Sequence, residues 1–141
     1  YQHDFVGYNN RLDCFQAALL RIKLKGLEKA NRLRQRLADR YGKHLAHQAM
    51  KAKDWARPVY HLYVVRSDQR DRLKERLTAA GIGCGVYYPL PLHLQPCYKS
   101  LGGKAGDFPV SERLAKEVIA LPMYPELKPP QVRRICGVVL A

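Results

Sequence analysis

The sequence is short of acidic residues and has no long apolar run. Its 12 aspartates and glutamates are outnumbered by 25 lysines and arginines, which gives a formal net charge of +13. Such an excess of basic charge favours anionic partners: phosphate, an acidic surface or nucleic acid. No apolar run approaches the ~20 residues of a membrane-spanning helix, and the start lacks the basic and then apolar order of a secretory signal. We therefore expect a cytoplasmic protein with no membrane partner.

Several common catalytic signatures are missing as well. The chain contains no G-x-S-x-G, no H-E-x-x-H and no glycine–lysine P-loop signature, which mark serine hydrolases, zinc proteases and P-loop enzymes. Its four cysteines, at positions 14, 84, 97 and 136, form no C-x-x-C pair, so a zinc site has little support. We interpret all four as reduced thiols of a cytosolic protein.

The length and the composition indicate one compact domain. With 141 residues, of which 47% are apolar and 26% charged, the chain can bury a useful core. It opens at Tyr1 rather than at methionine, so we expect it to be a piece of a longer protein. Basic residues alternate with Glu28 and Asp39 along one helix, which favours a solvated helical face over a dedicated nucleic-acid surface.

Helical and strand-like periods alternate along the chain. The opening helix has apolar residues at spacings of three and four. Asn9 or Asn10 can cap it, because a short amide oxygen accepts from the free N–H groups of a first turn. We expect an α+β layer in which two N-terminal helices pack on a small sheet that later helices cover. The predicted helices are 12–25, 27–45, 69–80, 112–120 and one from Pro130, and the predicted strands are 59–65 and 83–88.

A proline-stiffened loop follows the second predicted strand. Three prolines between Tyr88 and Tyr98 exclude a regular helix or a central strand there. His93 lies in this loop, where an imidazole on a rigid backbone could donate to a phosphate or a carboxylate, or move a proton. The alternative is an ordinary loop histidine.

Residues 7–20 have a distinctive order of side chains: a glycine, two amides, an arginine and an apolar helix start. Taken alone, they describe a capped amphipathic helix. The stretch also resembles the G-x-N-x-R-[LM]-[DN]-x-x-Q-A-A segment of the pyridoxal-phosphate-dependent sugar aminotransferases of the DegT/DnrJ/StrS type. Further blocks resemble that family in the family's order, and they cover nearly the whole chain. These blocks are 59–66, 81–83, 86–98, 108–112 and 121–127.

The resemblance implies an α/β fold, namely the α+β small domain of a fold-type-I aminotransferase. Residues 1–141 would be this C-terminal domain, and residues 1–25 the linking segment and helix that pack on a missing large domain. The lysine that forms the Schiff base with the cofactor would lie upstream, so these 141 residues alone should be inactive. Asn10 stands where the family usually has an aromatic residue, and the stretch before Pro58 is shortened, so one strand is missing or abbreviated.

The resemblance also implies a function and four site residues. The longer enzyme would bind pyridoxal phosphate, work as a homodimer and transfer an amino group from glutamate or glutamine to a nucleotide-linked keto-sugar. Its products would serve cell-surface polysaccharides, including lipopolysaccharide, or antibiotics. Asn9 matches the asparagine that reaches the cofactor phosphate of the other subunit. Arg11 would steer substrate phosphate or lock the Asn9 loop, and Tyr88 and His93 match the loop that lines the substrate cleft.

Two other functions remain open from the sequence. A sugar dehydratase can use the same scaffold with the Schiff-base lysine replaced, and only residues upstream of this chain separate the two. A basic nucleic-acid-binding α+β domain is the second alternative, and it rests on the net charge alone.

Overall fold

The computed structural model describes residues 1–9, 11–50 and 52–141. Within these ranges the chain forms five α-helices and one two-stranded antiparallel sheet, with two short 3₁₀ helices at Leu92–Leu94 and Pro96–Leu101. In these described ranges no helix is both long and apolar enough to cross a membrane. The main elements are α1 (Cys14–Leu24), α2 (Leu27–Leu45), β1 (Tyr63–Arg66), α3 (Arg70–Ala79), α4 (Pro109–Glu117), β2 (Val118–Leu121) and α5 (Pro129–Leu140).

The sheet lies at the centre of the core. Strands β1 and β2 run antiparallel, with Val65 opposite Ile119 and Tyr63 opposite Leu121. All four residues of β2 are buried, as expected of a strand covered on both faces. Helices α2, α3 and α5 pack around it through buried apolar residues. The members of this core on those helices are Leu37, Ala38, Tyr41, Leu45, Leu73, Leu77, Val132, Ile135, Cys136 and Val139.

The sheet differs from the predicted one. The predicted strand 59–65 becomes regular only at Tyr63, and 83–88 forms a single bridge, in which the N–H of Ala120 donates to the carbonyl of Gly85 at 2.7 Å. The partner strand is β2, most of which we predicted as the end of the helix 112–120. The physical reason is that a short run apolar on every side, such as Val118–Leu121, fits a buried helix and a buried strand equally well.

Helix α2 confirms the predicted helix 27–45, and its buried residues lie in its C-terminal half. Tyr41 is fully buried, stacks on Tyr63 with ring centroids 4.6 Å apart, and donates to the carbonyl of Pro122 at 2.9 Å. At the other end of the helix, Leu27 is 46% exposed. Only the later turns of α2 therefore belong to the core.

Helix α1 differs most from expectation, since none of its residues is buried and it does not pack on the sheet. Its cap is Asp13, whose carboxylate accepts from the backbone N–H of Gln16 at 2.9 Å. Asn9 therefore does not cap the helix, and Asn10 lies outside the described residues. Cys14, predicted in an apolar helical pattern, is exposed. The periodicity correctly indicated a helix, but it could not show that its apolar face lacks a partner within this chain.

Candidate functional site

A cleft of about 730 Å³ is lined by the proline-stiffened loop, α4 and the edge of β1. Two predicted site residues, Tyr88 and His93, line it. They are joined by residues of the N-terminal arm, which we define as residues 1–9. The remaining lining residues are Tyr1, His3, Val64, Tyr87, Leu90, Pro91, Leu92, Gln95, Phe108, Ser111, Leu114, Ala115 and Val118.

The arm is tied to the loop through Gln95. This side chain is only 4% exposed, and its amide donates to the carbonyl of Tyr1 at 2.9 Å while its oxygen accepts from the N–H of His3 at 3.1 Å. A third bond runs from the N–H of Cys97 to the carbonyl of His3 at 3.0 Å. The arm therefore forms one wall of the cleft.

Three tyrosine rings meet where the arm and the loop come together. The ring of Tyr1 lies 5.9 Å from that of Tyr87 and 5.4 Å from that of Tyr88, in edge-to-face arrangements. The ring of Tyr87 also covers Gly85, where an added Cβ would come within 2.6 Å of it. This part of the cleft offers aromatic edges and faces to a ligand.

His93 is held from the opposite side by Glu112. Its Nε2 lies 3.0 Å from a carboxylate oxygen of Glu112, and its ring packs 4.8 Å from that of Phe108. The same carboxylate oxygen accepts from the backbone N–H of Gly106 at 2.8 Å and from that of Phe108 at 3.4 Å. The hydrogen bond from Gly106, together with that from His93, holds the pKa of Glu112 below its usual range.

Asn9 and Arg11 do not line this cleft. Both residues are exposed, and within the described parts of the chain neither side chain has a hydrogen-bond partner. The carboxylate of Asp13 already accepts from one N–H group in the first turn of α1. An amide and a guanidinium are nevertheless the donor types that a phosphate accepts from, so both residues fit the cofactor phosphate chemically. Across the described ranges no three His, Cys, Asp or Glu side chains cluster as metal ligands.

Comparison with known proteins identifies the family of this chain. The family model described as the DegT/DnrJ/EryC1/StrS aminotransferase family matches residues 1–140. The chain belongs to this family.

Relatives in this family are much longer than the chain. It is 44% identical over 138 residues to a protein of Geobacillus stearothermophilus named pleiotropic regulatory protein, covering 93% of this chain and 37% of the relative. It is 40% identical over 144 residues to a dTDP-3-amino-3,4,6-trideoxy-alpha-D-glucose transaminase of Streptomyces venezuelae, covering 99% of this chain and 38% of that one. The chain thus spans less than two fifths of the length of these family members.

Solved structures of the family share the fold. The S. venezuelae DesV, determined in complex with a ketimine intermediate, superposes with a TM-score of 0.84 at 40% identity, over 99% of this chain and 38% of DesV. A sugar aminotransferase of Streptococcus pneumoniae, described in its PLP form, gives a TM-score of 0.81 at 25% identity, over 92% of this chain and 35% of that one. The predicted fold class is therefore confirmed.

Two residues that organise the cleft, Glu112 and Gln95, were not identified from the sequence. Glu112 was predicted as the first residue of the helix 112–120, whereas α4 begins at Pro109. A proline at the first helical position followed by an acidic residue was the available signal. Gln95 gave no such signal, because its partners lie 92 and 94 residues away in the sequence.

Proposed function

We propose that this chain is the C-terminal small domain of a longer pyridoxal-phosphate-dependent aminotransferase that aminates a nucleotide-linked keto-sugar. The observation that carries the proposal is the family match over residues 1–140. The similarity to a dTDP-sugar transaminase along 99% of the chain supports the substrate class. The longer protein would act in the cytoplasm as a homodimer, with glutamate or glutamine as amino donor, and its amino-sugars would serve surface polysaccharides or antibiotics.

The cleft supplies what this domain contributes to substrate binding. Its volume of about 730 Å³ falls in the ordinary range for small-molecule sites. The tyrosine rings can pack on a sugar or a base, and His93 can hydrogen-bond a polar substituent. The +13 net charge of the chain attracts an anionic nucleotide diphosphate and raises its rate of encounter.

Asn9 and Arg11 would contact phosphate groups rather than the sugar. When bound, pyridoxal phosphate supplies the electron sink that amino transfer needs. Asn9 in the arm and Arg11 just after it are both exposed. Asn9 can meet the cofactor phosphate of a second subunit, and Arg11 can steer substrate phosphate or lock the Asn9 loop. Both residues would hold and orient phosphate groups, and the lysine that binds the cofactor covalently would lie upstream of this chain.

The test is the reaction of the complete gene product that carries these 141 residues. It would be purified, loaded with pyridoxal phosphate and given glutamate or glutamine with dTDP- and UDP-linked keto-sugars, and the products would be followed by mass spectrometry. Replacement of the sugar carbonyl oxygen by an amine is the expected outcome. Loss of water from the sugar without gain of nitrogen would contradict the proposal in favour of a dehydratase, and unchanged sugars would contradict both.

A further inference from the structure

The pair formed by His93 and Glu112 has a chemical consequence for the cleft. Both side chains are half-buried, with 12% and 19% of their surface exposed. The carboxylate accepts from two backbone N–H groups as well as from the imidazole. Such a carboxylate is ionised at neutral pH, and an ionised carboxylate can only accept hydrogen bonds. The imidazole nitrogen that faces Glu112 must therefore be the one that carries a proton.

The position of that proton decides what the other nitrogen can do. In a neutral imidazole one nitrogen donates and the other accepts, and the bond made by the first selects the role of the second. With Nε2 donating to Glu112, Nδ1 keeps a free lone pair. Within residues 1–9, 11–50 and 52–141, the His93 ring nitrogens form no other hydrogen bond.

The ring of His93 packs against a second side chain, and the backbone of His93 lies close to a glycine. Phe108 packs against the ring, and Gly103 approaches the His93 backbone so closely that an added Cβ would lie 2.9 Å from its carbonyl oxygen. His93 also lines the cleft. Its position, its neighbours and its bond to Glu112 are thus all determined within this chain.

We propose that Glu112 is a positioning residue, which fixes the proton of His93 on Nε2 so that Nδ1 accepts a hydrogen bond from a hydroxyl group of the ligand in the cleft. A sugar hydroxyl can donate to that lone pair, whereas an ionised phosphate cannot. The identity of the ligand as a sugar rests on the proposed function. The tautomer does not, because it follows from the geometry of this chain alone.

The tautomer can be measured directly on the complete protein that carries these 141 residues. Long-range proton–nitrogen correlation spectra of ¹⁵N-histidine-labelled protein, recorded at alkaline pH where imidazoles are neutral, distinguish a protonated from a bare ring nitrogen. We expect His93 to show a single form with the proton on Nε2. The exposed His44 and His61 should show the averaged signals of two exchanging tautomers. A proton on Nδ1 of His93, or averaged signals there, would overturn the proposal.

Two matched variants assign the effect to Glu112. Glu112→Gln keeps the size of the side chain and an oxygen for the N–H of Gly106, but its amide can donate as well as accept. We expect the His93 signals to move toward those of the exposed histidines. Glu117→Gln is the control, because that carboxylate lies on the same helix but accepts from Arg66 at 2.6 Å instead. A His93 spectrum that does not change in Glu112→Gln would show that Glu112 does not fix the tautomer.

The ligand step is tested in the complete enzyme. Losing one well-oriented hydrogen bond should raise KM for the nucleotide sugar about three- to tenfold in Glu112→Gln, with kcat little changed. An unchanged KM would reject the hydroxyl contact even if the spectra confirm the tautomer. A wild-type enzyme that turns over no nucleotide sugar would contradict the proposed function and leave the tautomer result standing.

Discussion

Gln95 shows how a single buried amide shapes the cleft. Both ends of its side chain are hydrogen-bonded to the arm, as a buried polar group requires. We predict that Gln95→Leu leaves the carbonyl of Tyr1 and the N–H of His3 unpaired at a cost of roughly 1–3 kcal/mol in stability. Amide hydrogen exchange at His3 and Cys97 should accelerate, because the arm loses its tie.

Gln35→Leu is the matched control for this change. Gln35 also makes a long-range bond from its side chain to the backbone, at 3.2 Å to the carbonyl of Pro58, but remote from the arm. Gln35→Leu should leave the rate of amide hydrogen exchange at His3 and Cys97 the same as in the parent. Equal exchange in both variants would mean that Gln95 does not hold the arm.

Asn9 and Asp13 separate a phosphate contact from a helix cap. In the complete enzyme Asn9→Ala should remove one charge-assisted hydrogen bond, worth roughly 1.5–3 kcal/mol, and weaken retention of pyridoxamine phosphate about ten- to hundredfold. The melting temperature should stay the same, because Asp13 and not Asn9 caps α1. The pyridoxamine form is the right probe, since it has no covalent link to mask the loss.

Asp13→Ala should give the opposite pattern. Loss of its bond to the N–H of Gln16 should cost about 1 kcal/mol in stability and leave cofactor retention unchanged. If Asn9→Ala holds pyridoxamine phosphate as tightly as the parent does, the proposed phosphate contact is wrong.

Glu112 links the cleft to pH. Folding lowers its pKa, chiefly through the hydrogen bond from Gly106 and also through His93. A lowered pKa in the folded state means that the carboxylate stabilises the fold above the ordinary glutamate pKa of about 4.3, and that this contribution is lost as the pH falls through the lowered value. Urea denaturation of Glu112→Gln over a series of acidic pH values should show a flatter decline than the parent.

An exposed glutamate on α3 provides the comparison. Glu75→Gln should leave the acid decline as steep as in the parent. A parent and a Glu112→Gln variant that lose stability in parallel below neutral pH would contradict the assigned role of this carboxylate.

At the scale of the elements, α3 ends in a turn that requires a residue with a positive φ angle. Gly81 has φ +68°; its N–H donates to Thr78 at 2.9 Å, and that of Ile82 donates to Leu77 at 2.8 Å, which together form a Schellman motif. Gly81→Ala should destabilise the protein by roughly 1–2 kcal/mol, because an L-residue is strained in this region. No atom lies within 4 Å of the added Cβ, so any loss of stability comes from the backbone conformation alone.

Gly137→Ala should stabilise the protein, in contrast to Gly81→Ala. This glycine lies inside α5, is exposed, and has open space around an added Cβ. Alanine in a helix interior is favoured over glycine by about 1 kcal/mol. Thermal melts of the two variants should therefore move in opposite directions, and a Gly81→Ala protein as stable as its parent would contradict the backbone argument.

The elements also show what local sequence can and cannot predict. The helix predicted at 69–80 and the helix predicted from Pro130 agree with α3 and α5 to within one residue at those bounds, because helix ends depend on neighbours within a turn or two. Strand β2 was missed, since only its pairing with β1 distinguishes Val118–Leu121 from a continued helix. His93 was found through its loop, but its partner Glu112 depends on how two segments meet in space.

At the scale of the whole molecule, the apolar surface of α1 is the unusual feature. On one side Leu20 and Leu24, one helical turn apart, are 55% and 66% exposed. On the predicted apolar face Phe15 and Ile22 are 74% and 68% exposed. Apolar patches larger than a few hundred Å² on a soluble chain promote association. We therefore predict that the isolated 141 residues self-associate or are only marginally stable, as expected if α1 packs on a missing domain.

Sedimentation velocity over a series of concentrations measures the self-association, and a thermal melt measures the stability. The parent should sediment faster as its concentration rises. The double variant Leu20→Glu, Leu24→Glu should be mostly monomeric, because two carboxylates on adjacent turns cannot be buried unpaired. Leu140→Glu is the control: this leucine is 54% exposed but lies at the end of α5, away from α1. A parent that stays monomeric at high concentration and melts sharply would refute the prediction. Equal dissociation by the α1 pair and by Leu140→Glu would place the contact elsewhere than on α1.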